Sequence, residues 1–206
     1  MRAALLLLSV VVGACASSQA PANRDGLPTD LSYLTRAEWG ANPPTGPMRP
    51  HTPDQITVHH TYDTHPPSRS NADKLRSLQA FSVSDGPLGD GSPKAVWPDV
   101  PYHYYIAADG QVVEGRDVRF EGETNTTYPL TGHIQIVVEG NFEETEPTPA
   151  QMSSLTRLVV ALAQRWEVPA DAVASHLDRA PGQTACPGEN LYQHLPALRT
   201  AVLEAG

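Results

Sequence analysis

A histidine and a cysteine, His176 and Cys186, stand ten positions apart in the stretch HLDRAPGQTACPG, residues 176–188. Its prolines and glycines suit neither a helix nor a strand, so something else must hold the segment in place. Cysteine thiolate and neutral imidazole are donors that zinc takes, three or four of them at about 2.0 to 2.3 Å, and a catalytic site keeps one position open for water. A loop pinned at both ends by one ion would tolerate this composition. Taken singly, each residue has a plainer reading. A free cysteine is often a small buried hydrophobe, and a histidine in such a loop often only ends a helix or fills a turn. The chain holds eight histidines and two cysteines, so further ligands must come from the other histidines.

His59 and His60 close the run QITVHH, residues 55–60, whose β-branched residues at 56–58 mark a strand. Successive side chains of a strand point to opposite faces, so the two cannot both aim at one site. His60 falls with Ile56 and Val58, and His59 with Thr57 and Thr61. The more polar company makes His59 the better ligand and His60 a hydrogen-bonded packing residue. His133 either lines the cleft or simply begins a strand. His51, His65, His103 and His194 have no partner pattern and read as surface or packing residues.

The elements that must position these groups follow from periodicity and turn chemistry. Ala72, Leu75, Leu78 and Phe81 recur three apart and predict an amphipathic helix over 71–82. Asp109-Gly110 between two apolar runs predicts a hairpin, because that pair accepts the positive φ of a tight turn. HIQIVV, residues 133–138, suits an interior strand. Thr148 as N-cap, Pro149 at the first helical position and Gln151 completing a capping box open a helix whose buried face carries Met152, Leu155, Val159, Leu162 and Trp166. A last helix is expected over 189–203, and the Gly/Pro-rich 85–99 and the polar 116–131 are expected as loops. Strands alternating with helices, plus one hairpin, imply an α/β single domain with a central mixed β-sheet flanked by helices.

The chain of 206 residues has room for one domain and an appendage. Its formal charge of −9 argues against nucleic acid or a polybasic membrane surface as the main partner. Residues 1–14 give Arg2, an apolar run and small residues before Cys15, a lipoprotein signal peptide too short for a comfortable membrane span. VGAC is similar to a bacterial lipobox, in which cleavage before the cysteine leaves that cysteine to carry lipid. Residues 15–31 then read as a lipid-anchored flexible tether, and 32–206 as the domain proper. With Cys15 lipidated, Cys186 has no disulfide partner. The reading is of an exported monomer in the cell envelope, on the outer membrane facing the periplasm in a Gram-negative source.

Five ordered stretches, TRAEWGANPP, ITVHHT, DVPYHYYIAADGQVVEGRD, EGNFEETEPTPAQM and SHLDRAPGQTACPG, resemble the peptidoglycan recognition protein and type 2 N-acetylmuramoyl-L-alanine amidase family over about residues 35–195. The resemblance implies that His59, His176 and Cys186 bind one Zn2+, that Tyr102 and Thr184 act in catalysis, and that the substrate is peptidoglycan or a muropeptide. The bond cut would be the amide between the lactyl group of N-acetylmuramic acid and L-alanine. Non-cleaving relatives that only bind muropeptides typically lose the cysteine ligand, which this chain keeps. Two departures stand out. Gln135 replaces a small glycine of the family, and Val137 stands where some members of the wider superfamily carry a catalytic glutamate, with Glu139 expected at or beyond the strand end. Asp117-Val118 stands where animal members carry the pair that distinguishes stem peptides, so that rule does not transfer.

Overall fold

In a computed structural model, residues 26–88 and 91–206 are described. The signal segment, Cys15 and most of the expected tether lie outside the described residues. The sheet has six strands in the order β1-β4-β3-β5-β2-β6. These are β1 (Tyr33–Leu34), β2 (Gln55–His60), β3 (Tyr104–Ile106), β4 (Val112–Glu114), β5 (His133–Val138) and β6 (Val173–Ser175). Every pairing is parallel except β3 with β4, the hairpin. At its turn Gly110 takes the positive φ, +84°, and its N–H returns to the Ala107 carbonyl at 2.8 Å.

The sheet is covered on both faces, which is why its interior strands read as apolar runs. One face carries Ile56, Val58, Tyr104, Ile106, Ile134 and Ile136, packed into a single core with helix residues Leu155, Leu158 and Leu162. Those belong to α3 (Pro149–Trp166), which packs beside α6 (Leu195–Ala205). The α3 N-terminus is built as expected, with Thr148 accepting from the Gln151 N–H and Gln151 returning to the Thr148 N–H. The last helix is two: α5 (Glu189–Tyr192) and α6, separated at Gln193 and His194, with Pro196 in the first turn of α6.

The opposite face carries Tyr105, Val113 and Val137 against Trp39 of α1 (Arg36–Trp39) and Leu75 of α2 (Asn71–Val83). Leu75 is buried in this core and Ala72 and Leu78 pack against it, as the apolar spacing of α2 predicts; Phe81 departs from that face. Phe81 is 40% exposed, and the buried side chains are Lys74, Leu75, Gln79 and Ser82. Each buried polar group has a partner: Lys74 pairs with Glu139 at 2.9 Å, Gln79 donates to Asp99 at 2.8 Å, and Ser82 donates to the Leu78 carbonyl at 2.7 Å. The buried side of α2 is therefore wider than its apolar spacing marks, because polar partners accommodate Lys74, Gln79 and Ser82.

The expected tether also ends earlier than residue 31. Leu27 and Leu31 are buried in the α3-side core and Asp30 pairs with Arg157 of α3. Two leucines spaced four apart on a packed surface explain the correction, since their burial stabilises by roughly 1.5 to 3 kcal/mol each.

Candidate metal centre and its cleft

His59 arrives from the C-terminal half of β2, 2% exposed, on the face shared with Thr57, Gln135 and Val137. His176 is delivered by a different device. It is the first residue of α4 (His176–Arg179), directly after β6, and a capping box between Ser175 and Asp178 sets where the strand turns into the helix. Cys186 comes from the loop after α4, which folds back so that the Leu177 N–H donates to the Cys186 carbonyl at 2.7 Å and the Cys186 N–H donates to Thr184 Oγ1 at 3.0 Å.

These three residues, over a hundred positions apart at the extremes, bring their ligand atoms within 4.8 Å of one another. Cys186 Sγ lies 3.8 Å from His59 Nδ1, and the His59 and His176 ring centroids are 4.6 Å apart. Bonds of 2.0 to 2.3 Å in a tetrahedron put neighbouring donors roughly 3.3 to 3.8 Å apart, so the Cys186–His59 pair has the spacing of two zinc ligands, with the His176 donor within 4.8 Å of both. Its protonation suits the same role. Burial first, then the neighbouring His176, His60 and His133, hold His59 well below the ordinary imidazole range. Burial lowers His176 to about 4 and pushes the Cys186 thiol up to about 12. Both rings are neutral lone-pair donors. A thiol with a raised pKa is the reverse of an activated nucleophile, whereas a coordinated thiol is deprotonated outright. The donor set therefore fits zinc.

Outer contacts orient the ligands. The His60 backbone N–H points at Cys186 Sγ from 3.3 Å. Thr126 Oγ1 lies 2.6 Å from His176 Nε2, which ties that edge of the ring to the 116–131 loop. That loop is fixed in turn by Arg116, 1% exposed, which donates to the carbonyls of Val100, Glu121 and Asp99 and pairs with Glu123. Gln183 joins it to the cysteine loop through both the N–H and the carbonyl of Thr127.

The cluster lies in a cleft of about 430 Å³ that Tyr102 and Thr184 also line. The Tyr102 ring lies 5.2 Å from that of His59. Burial foremost, then the adjacent Cys186 and Tyr128, raise its pKa well above the ordinary phenol value, so it stays a hydrogen-bond donor. Thr184 Oγ1 accepts from the Cys186 N–H, which leaves its own proton free to be donated. Leu88, Trp97 and Tyr62 give the cleft an apolar surface, and Glu123, Thr124 and Asn125 a polar one. Tyr62 is 58% exposed and held in a left-handed backbone conformation, φ 65°.

Other histidines sort differently. His60 is 7% exposed, touches the cleft, and its Nδ1 accepts from the Phe142 N–H at 3.4 Å. His133 is buried beneath the cleft, with Nδ1 2.7 Å from Thr57 Oγ1, and does not line the cleft. Glu139 is committed to Lys74 and the Ala108 N–H under α2 and does not line the cleft, whereas Glu143, in the segment after β5, does. Thr126, Tyr128 and Tyr62 were not singled out from sequence. The only signal for the first two was the polarity of the 116–131 loop, and Tyr62 follows the paired histidines with no periodicity to mark it.

Residues 49–189 match the Amidase_2 family, N-acetylmuramoyl-L-alanine amidase. The chain belongs to the peptidoglycan recognition protein and type 2 amidase family. Among its relatives is peptidoglycan-recognition protein SD of Drosophila melanogaster, 29% identical over 79% of this chain and 83% of that one. The crystal structure of Drosophila peptidoglycan recognition protein SD superposes with a TM-score of 0.66 at 26% identity, covering 80% of this chain and 92% of that one. The human N-acetylmuramoyl-L-alanine amidase is 28% identical over 78% of this chain, which spans 27% of that longer protein. Peptidoglycan recognition protein LE, solved in complex with tracheal cytotoxin, a monomeric diaminopimelic acid-type peptidoglycan, shares the fold at TM-score 0.66 and 22% identity, covering 81% of this chain and 93% of that one.

Proposed function

We propose that the protein is a zinc-dependent N-acetylmuramoyl-L-alanine amidase that hydrolyses the amide between N-acetylmuramic acid and the L-alanine of the stem peptide. The observation that carries this reading is the convergence of His59, His176 and Cys186 at a cleft that the half-buried Tyr102 also lines. Relatives that include both recognition proteins and amidases support the substrate class.

The three ligands would hold zinc, which when bound acidifies a water toward pKa 7 and polarises a carbonyl. The chain's own groups do the rest. Tyr102 donates its phenol hydrogen to the oxygen that becomes negative as the amide carbon turns tetrahedral. Thr184, fixed by the Cys186 N–H, supplies a second hydroxyl in the same cleft. Thr126 and the His60 N–H keep His176 and Cys186 in place while this happens.

The test is to incubate the purified domain with muropeptides of known stem, with zinc and with a chelator, and to weigh the products. Free stem peptide and an intact lactyl sugar, lost with chelator and restored by zinc, are expected. Intact muropeptides bound in the presence of zinc would establish a non-cleaving recognition module instead. The same proposal places the domain in the cell envelope as a monomer, anchored by lipid on Cys15 through a tether that ends near residue 26. Replacement of Cys15 by serine should move the protein from the membrane to the soluble fraction, and persistence in the membrane would refute the anchor.

A further inference from the structure

Two of the three candidate ligands have an outer hydrogen-bond partner: His60 N–H for Cys186, and Thr126 for His176. His59 is the exception. Its Nδ1 faces Cys186, and its Nε2 is buried with no aligned partner. An imidazole that binds metal through Nδ1 must carry its proton on Nε2, and metal-bound histidines almost always pass that proton to a fixed acceptor.

The neighbours on this face of the sheet narrow the choice. Thr57 Oγ1 is taken by His133 Nδ1. His103 is engaged at both nitrogens, by the Gln135 N–H at 2.8 Å and the Phe120 carbonyl at 2.8 Å. Gln135 remains. It sits opposite Thr57 in the β2–β5 register, one rung diagonal to His59, a span that a long side chain covers. It is 0% exposed and its Nε2 is also unpaired. Tyr128 Oη reaches Oε1 from 3.5 Å. Room for the amide is made by Gly122, where a Cβ would lie 2.4 Å from Gln135 Nε2 and 2.7 Å from the Pro101 carbonyl oxygen. A large polar side chain stands at a buried position, with a glycine cleared for it and a ligand histidine short of an acceptor.

We propose that Gln135 is the positioning residue of the metal centre, its amide oxygen accepting from His59 Nε2–H and so fixing the ring with Nδ1 toward the ion. This rests on the zinc reading above, but its readout is metal binding and not cleavage. Zinc affinity of the whole domain is measured by competition with a chromophoric chelator for wild type, Gln135→Met and Gln135→Glu. Methionine keeps the volume and loses the acceptor, and should weaken zinc about 10- to 100-fold. Glutamate keeps the acceptor and should bind at least as tightly as wild type. Methionine within threefold of wild type, or glutamate as weak as methionine, overturns the assignment.

A wild-type measurement guards against misfolded variants. In zinc-loaded protein labelled with nitrogen-15 in histidine, the His59 Nε2 proton should exchange slowly and show a cross-peak to the Gln135 side chain. A rapidly exchanging proton overturns the assignment as well. If zinc binds as described but no muropeptide is cut, the amidase reading fails and this inference stands. If cutting occurs and Gln135→Met binds zinc normally, only this inference fails.

Discussion

A phenol is a useful acid in the transition state only while it keeps its proton, and the environment of Tyr102 ensures that. Burial and the nearby Cys186 and Tyr128 all act against the phenolate. Replacement by phenylalanine removes one preorganised donor and leaves the ring packed against His59. By analogy with other lost oxyanion donors, kcat should fall by about 10²- to 10³-fold, with KM and zinc content close to wild type. Steady-state rates on a muropeptide with metal analysis of the same samples check this, and a kcat within threefold of wild type would remove Tyr102 from the chemistry. At this scale the legibility of the sequence was uneven. Alternation along β2 separated His59 from His60 because one face of the strand has polar company, and the structure brings His59 together with His176 and Cys186. Nothing comparable marks Thr126, and Gln135 stands out only as a departure from the family's small glycine, which does not say what it touches. Their contacts cross between a loop and a strand, and no spacing along the chain encodes such a meeting.

Helices show where patterning succeeds and where it misleads. α3 was legible to its cap, because Thr148, Pro149 and Gln151 satisfy its first turn by local bonds that depend on sequence neighbours alone. The buried face of α2 was legible only in part: Ala72, Leu75 and Leu78 pack inward as their spacing marks, but Lys74 and Gln79 are buried as well because they pair with Glu139 and Asp99, acids contributed by segments outside the helix. The Lys74–Glu139 pair, 6% and 2% exposed at the side chains, joins α2 to the end of β5. Removing one member of a buried pair leaves the other charge uncompensated, at a cost of about 3 to 5 kcal/mol. Lys74→Met should therefore lower stability by that order in urea titrations. Glu139→Gln added to Lys74→Met should recover a large part, since the amide oxygen can still accept from the Ala108 N–H. No recovery in the double variant would mean that Lys74 acts through packing and not through its charge. A smaller adjustment is available at the other end of α3. Glu167 caps the helix with φ 55°, and glycine there should stabilise by about 0.5 to 1 kcal/mol, read as a rise in the urea midpoint.

The molecule as a whole buries more imidazole than its metal centre uses, and that sets how it responds to acid. His103 is 0% exposed and lowered to about 3, mainly by burial, with His51 and Arg116 nearby opposing its charge and Asp117 favouring it. His133 is lowered to about 4, again mainly by burial. Below pH 6.5 the unfolded chain takes up protons at these rings while the native fold refuses them until about pH 3 to 4. Stability is therefore full above pH 7 and falls as pH drops through this window, by about 1.4 kcal/mol per pH unit for each such histidine once its unfolded form is fully charged. Substituting His103 by glutamine tests the contribution of one ring that is not itself a candidate ligand. Glutamine can still accept from the Gln135 N–H or donate to the Phe120 carbonyl, and any bond it fails to make lowers stability equally at every pH. Against pH from 5.5 to 4, the unfolding free energy of chelator-treated protein should lose about 1.4 kcal/mol per unit from its slope in His103→Gln. An unchanged slope would mean that His103 is already charged in the native state, contrary to a ring whose two nitrogens are engaged by one donor and one acceptor.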